Sequence, residues 1–201
     1  MKSLRYISVS LLVIFFALGC TRKKSQDQQH QENIKNAMSS TNAREMTTDY
    51  TKAVAVIHPT EGNNAMGTVT FVQTDNGINV HAEIKGLSPG LHGYHVHLYG
   101  DCTARDGTSA GTHFNFEGSS LNPPANIDHI TGDLGNLNAN NSGAATADTS
   151  IAIASLNGPK SIIGRAVVIH EKANDPSQPP IGAAGSRLGC GVIGIANTGT
   201  E

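Results

Sequence analysis

Residues 78–85 alternate apolar and polar side chains without a break, with Ile78, Val80, Ala82 and Ile84 on one side and Asn79, His81, Glu83 and Lys85 on the other. A period of two places the apolar set on one face of an extended strand and the polar set, His81 included, in water. A strand with one apolar face has to bury it against a second layer. Asn76-Gly77 just upstream is a hairpin signal, because a two-residue turn needs positive φ and these residue types accept it; residues 67–74 read as the partner strand. Further strands are expected over residues 52–58, 144–154, 161–170 and 188–196, with another containing residues 93–97. The composition agrees: 22 glycines, no Trp and 4% aromatic residues suit short strands joined by turns better than a helical bundle. The fold is expected to be mostly β, without a helix of convincing length.

At 201 residues and 38% hydrophobic content, the chain has room for one domain with tails. That domain is placed at residues 51–198. Two stretches within it lack a strand period, residues 98–143 and 171–187; loops of this length in a compact domain are functional or mark a wrong assignment. Residues 21–50 are rich in Gln, Asn, Ser, Thr and charge, too polar to offset their ordering entropy, and read as a flexible tether. With 14 basic and 16 acidic residues the net charge is −2. No basic field exists to hold nucleic acid, and that partner class is excluded.

Residues 1–20 have the parts of an export signal: Lys2 and Arg5, then an apolar run over residues 7–18, too short to span a bilayer. Ala17-Leu18-Gly19-Cys20 resembles the lipobox of bacterial lipoproteins, in which the Cys becomes the acylated N-terminus. A plain cleaved signal or a short anchor is the alternative. On the lipobox reading the protein is lipid-anchored to a bacterial membrane, facing periplasm or cell surface, and meets that membrane only through the lipid on Cys20. Of three cysteines this leaves Cys102 and Cys190, an even pair that an oxidising compartment allows to form one disulfide; two buried free thiols are the other possibility.

His95-Val96-His97 lies in a strand segment, so both imidazoles project from one face while Val96 points to the core. That is a platform for two metal ligands, though a paired-His motif is as often a polar strand face. His113 and His170, at loop and strand ends, are by themselves unremarkable. Taken in order and spacing, however, the segments Gly90-Leu91-His92-Gly93-Tyr94-His95-Val96-His97, Gly100-Asp101-Cys102, Ser109-Ala110-Gly111-Thr112-His113-Phe114-Asn115, Gly132-Asp133-Leu134-Gly135-Asn136, Val168-Ile169-His170-Glu171-Lys172-Ala173 and Gly185-Ser186-Arg187-Leu188-Gly189-Cys190-Gly191 resemble the Cu,Zn superoxide dismutases. The resemblance spans roughly residues 52–197. Cys102 directly after Gly100-Asp101 looks like the bacterial branch.

The resemblance implies an eight-stranded antiparallel Greek-key barrel with two long functional loops, a family known for its sandwich-like β architecture. It implies that His95, His97, His113 and His170 bind copper, that Cys102 pairs with Cys190, and that Arg187 guides superoxide to the metal. In the family, the residue at the position of His113 bridges copper to zinc and releases copper on reduction, carrying a proton. His92 is implied to support the loop; His30, His58 and His81 lie outside the motifs. Members commonly dimerise, and a homodimer stays open here. The implied activity converts superoxide to dioxygen and hydrogen peroxide; a copper-holding or structural module on the same barrel is the alternative.

The zinc half departs from the pattern. Where the family has its two further zinc histidines, Leu121 and Ile130 stand here, with a histidine only at the neighbouring His129. His113, His129 and Asp133 are what remains for zinc, which prefers four N, S or O ligands in a tetrahedron. After His170-Glu171-Lys172-Ala173 the family places an Asp that holds a copper His and a zinc His together; Asn174 occupies that position, with Asp175 next to it. These departures favour copper alone or weak zinc loading.

Overall fold

A computed structural model of the chain describes residues 29–31, 33, 49–114, 132–175 and 183–199. The chain divides into units 1–47 and 48–201. In the first, residues 29–31 and 33 are helical; the tether reading made no provision for helix there, since nothing in its polar sequence repeats at helical spacing. Cys20, Leu121, His129 and Ile130 lie outside the described residues.

The second unit contains eight strands: β1 (Lys52–Pro59), β2 (Met66–Thr74), β3 (Gly77–Lys85), β4 (Gly90–His97), β5 (Asp133–Ala139), β6 (Ala145–Ile151), β7 (Ala166–His170) and β8 (Arg187–Ile195). All pairings are antiparallel, in the order β5-β4-β7-β8-β1-β2-β3-β6. The outer strands β5 and β6 approach each other and nearly close the barrel. The β2–β3 ladder runs from Met66 opposite Lys85 to Thr74 opposite Gly77, so the two-residue turn is Asp75-Asn76, one residue earlier than the Asn76-Gly77 signal placed it, and Gly77 opens β3 at φ 122°. Alternation then works as the sequence implies: Ile78, Val80, Ala82 and Ile84 are buried, His81 and Glu83 exposed. Phe71, Tyr94, Leu137, Ile169 and Ile193 fill the interior. Each such side chain contributes about 1.5–3 kcal/mol on leaving water.

Two expectations need correction. β5 lies inside the stretch read as loop. Its burial switches phase between Leu134 and Leu137, across Gly135 at φ 94°, where the β4–β5 register shifts. No continuous period of two survives to be read. The strand expected over residues 161–170 begins only at Ala166, because Gly158–Lys160 forms a 3₁₀ turn and Gly164 turns the chain at φ 82°.

The β4–β5 connection and the segment before β8 lie over the same end of the barrel. Leu98 N–H donates to the Thr112 carbonyl and Tyr99 N–H to that of Ala110, folding the first part of the connection back on itself. A disulfide joins Cys102 to Cys190, with Cα atoms 5.8 Å apart, and so fastens this loop to β8.

Candidate metal centre

β4 runs between β5 and β7, and its last residues deliver His95 and His97. His97 forms an isolated bridge with His113, which brings the returning loop to the strand, and His170 closes β7 alongside. The four imidazoles offer nitrogens all within 4.8 Å of one another. Ring centroids of His95 and His113 are 3.9 Å apart, those of His97 and His113 4.8 Å. None of the four is more than 6% exposed.

Such burial needs compensation, and the hydrogen bonds show where it is withheld. His97 Nδ1 lies 2.9 Å from the Gly111 carbonyl and His170 Nδ1 3.4 Å from that of Gly185, which assigns the proton to Nδ1 in both rings. Their Nε2 atoms then face each other at 3.2 Å as two bare lone pairs. His95 points its Nε2 at Asn174 Oδ1, 2.5 Å away, leaving its buried Nδ1 with no hydrogen bond; His113 Nδ1 is likewise buried without one. Burial holds all four far below the ordinary imidazole pKa, reinforced by neighbouring rings at His97, His113 and His170, with His95 at about 4 and His170 at about 3. The rings are neutral at physiological pH and present lone pairs instead of protons. Four converging imidazole lone pairs fit a copper ion, whose two oxidation states both accept this borderline donor.

Arg187 stands beside His170 across the β7–β8 ladder. Its Nη1 donates to the Gly107 carbonyl at 2.6 Å and its Nη2 to that of Gly111 at 2.7 Å, the carbonyl that also receives His97. With His97, His113, His170 and Gly185 it lines a cavity of about 490 Å³ open to solvent. Half-burial lowers its pKa from 12.5, a change that leaves the guanidinium charged at neutral pH. His92 accepts no part in the cluster: its Nδ1 meets the His170 carbonyl and its Nε2 the Ser88 carbonyl, both at 2.9 Å, bracing the end of β7. His58 and His81 are on the surface.

The described residues do not assemble a zinc set. Asp133 lies outside the four-histidine group, and its Oδ1 accepts the Gly135 N–H at 2.8 Å and Asn174 Nδ2 at 2.7 Å. Two contributors to the centre carry no signature in the sequence. The Gly107 and Gly111 carbonyls that hold Arg187 are main-chain groups, and Arg165, whose guanidinium carbon sits 3.3 Å over the Phe114 ring while Nη1 donates to the Leu98 carbonyl, steadies the residue next to His113.

Comparison with known proteins agrees with this geometry. The family described as Copper/zinc superoxide dismutase (SODC) matches residues 65–193. A protein of Brugia pahangi named Extracellular superoxide dismutase [Cu-Zn] is 39% identical over 185 residues, which cover 88% of this chain and 92% of that protein. Superoxide dismutase [Cu-Zn] 2 of Brassica juncea is 40% identical over 151 residues, 72% of this chain and 97% of the relative. The chain belongs to the copper/zinc superoxide dismutase family.

Proposed function

We propose that His95, His97, His113 and His170 hold one copper ion, that superoxide is dismuted there, and that copper alone supports turnover. The observation that carries this reading is the pair of Nε2 lone pairs of His97 and His170 meeting at 3.2 Å in a buried pocket, an arrangement that calls for a cation between them. Copper held by these four residues would supply the one-electron chemistry by which one superoxide becomes dioxygen and a second is reduced. The chain's own residues do the remainder. Arg187 presents a fixed positive charge in the cavity mouth, where it draws in a small anion. Neutral His113 has a ring nitrogen able to carry one of the two protons that the second superoxide needs to leave as hydrogen peroxide.

The zinc reading of His113, His129 and Asp133 is weaker, because Leu121 and Ile130 cannot ligate and the Asp133 Oδ1 is already engaged by two donors. Export is supported by the disulfide and by the name of the Brugia pahangi relative, and a bacterial lipid anchor on Cys20 by Leu18-Gly19-Cys20. Metal-free protein reloaded with copper alone, and assayed on the same sample, tests the proposal. Full activity that zinc scarcely raises, kept in His129→Ala and lost in His113→Ala, is the expected result. Stoichiometric nanomolar zinc binding, removed together with activity by His129→Ala, would overturn it.

A further inference from the structure

We propose that Asn174 is a positioning residue whose carboxamide fixes His95 as its Nε2–H tautomer and ties that ring to Asp133, making the Asp133 carboxylate an outer support of the copper site. The inference rests on the reading of His95 as a copper ligand. Asn174 is the meeting point of three segments. Its Oδ1 takes the His95 Nε2–H at 2.5 Å, its Nδ2 donates to Asp133 Oδ1 at 2.7 Å and to the Gly135 carbonyl at 3.1 Å, and its backbone N–H donates to Asn136 Oδ1 at 2.8 Å.

The pattern of donors and acceptors specifies an amide. On one side stands an imidazole N–H, which needs an acceptor; on the other stand a carboxylate and a carbonyl, which need a donor. A carboxylate at this position would satisfy the imidazole but set an oxygen against two other oxygens. An amide satisfies both sides in one orientation. Asp133 is brought within reach by the fold, since it pairs directly with His95 across the β4–β5 ladder and its Oδ1 lies 3.9 Å from His95 Nε2. Room for the amide comes from Gly93: a Cβ there would run into Asn174 Oδ1 and press on His95 Cε1.

With Nε2 carrying the proton, His95 must present Nδ1 to the cluster, which is the buried nitrogen that has no hydrogen bond. Outer groups of this kind set ring tautomer and orientation, and losing one typically weakens metal binding about 10- to 100-fold. Asn174 and Asp133 thus form a chain running from the ring to the β5 backbone, where the Gly135 N–H anchors the carboxylate.

Two-bond ¹H–¹⁵N correlation spectra of metal-free protein report the His95 tautomer directly, and competition with a chelator in zinc-free buffer reports copper affinity. Wild type should show Nε2–H alone. Asn174→Ala should populate both tautomers and bind copper about 10- to 100-fold more weakly. The isosteric Asn174→Asp should keep the Nε2–H tautomer yet lose copper affinity, and Asp133→Ala should weaken copper although it removes no nitrogen from the cluster. A single unchanged tautomer in Asn174→Ala, or wild-type copper affinity in Asn174→Asp or Asp133→Ala, would overturn the proposal. The tautomer is read without metal, so it decides the role of Asn174 even if copper proves to bind elsewhere.

Discussion

Arg187 combines two jobs that a single substitution would confuse. Its charge faces the cavity, while its two N–H groups hold the Gly107 and Gly111 carbonyls. Charged clefts raise encounter rates by roughly 10- to 1,000-fold, superoxide dismutase being a standard illustration of the effect. Arg187→Ile should lower the rate constant by about tenfold, at the lower end of that range, and flatten its dependence on ionic strength, since a surface charge is screened over about 10 Å at 0.1 M salt. Arg187→Lys keeps the charge but cannot span both carbonyls. It should retain most of the salt dependence, and stopped-flow kinetics across a salt series separates the two variants; equal rates in wild type and Arg187→Ile would move guidance to another residue. Far from the metal, His81 Nδ1 lies 2.8 Å from Asp148 Oδ1 across the β3–β6 ladder, a bond that raises its pKa above 6.5. A raised folded-state value means that the protonated form is the stabilised one. The contribution is complete below pH 6.5 and fades as pH rises through the folded-state value. Titration followed by NMR should show His81 returning toward 6.5 in Asp148→Asn.

At the level of elements, legibility followed the hydrophobic period. β1, β2, β3 and β8 lay within a residue or two of their expected bounds; β3 keeps one face in the core from end to end, whereas β8 buries Gly189, Cys190 and Gly191 in succession and exposes Ile195. β5 was hidden by the phase change at Gly135, and the start of β7 by turns that the apolar residues Ile162 and Ile163 disguise. The clustering of His95, His97, His113 and His170 was legible because they sit in short motifs of fixed spacing. The carbonyls under Arg187 and the cation over Phe114 were not, since a main-chain acceptor has no letter and an aromatic contact between distant segments has no spacing. The disulfide belongs to this scale too. It closes a span of 88 residues and holds the loop carrying the Gly107 and Gly111 carbonyls against β8. Losing a native disulfide costs about 2–5 kcal/mol. Cys102→Ser or Cys190→Ser should therefore lower Tm by roughly 5–20 °C under oxidising conditions, with no further fall when reductant is added. The same Tm as wild type in either variant would show that the link adds nothing to stability.

For the whole molecule, the net charge of the full sequence is −2, made more negative if Lys2 and Arg5 leave with a signal, so attraction of superoxide has to be local and the molecule's location decides which superoxide it meets. On the proposed lipoprotein reading, Lys2 and Arg5, the apolar run to Leu18 and then Leu18-Gly19-Cys20 form the signal, and a polar segment separates them from Lys52, where the barrel begins. Each buried methylene of an attached acyl chain contributes about 0.8 kcal/mol, and a single chain holds a protein only marginally, so several are needed for stable attachment. A barrel fixed in this way would work on superoxide arriving near the membrane surface and would not be diluted into the surrounding fluid. Mass spectrometry of protein extracted from membranes should show mature chain starting at Cys20 with a diacylglycerol adduct. Cys20→Ser should release active protein into the soluble fraction with its disulfide and copper intact, because the anchor contributes nothing to the barrel. Recovery of wild-type protein as a soluble species with an unmodified Cys20 thiol, or cleaved beyond Cys20, would leave export standing and remove the anchor.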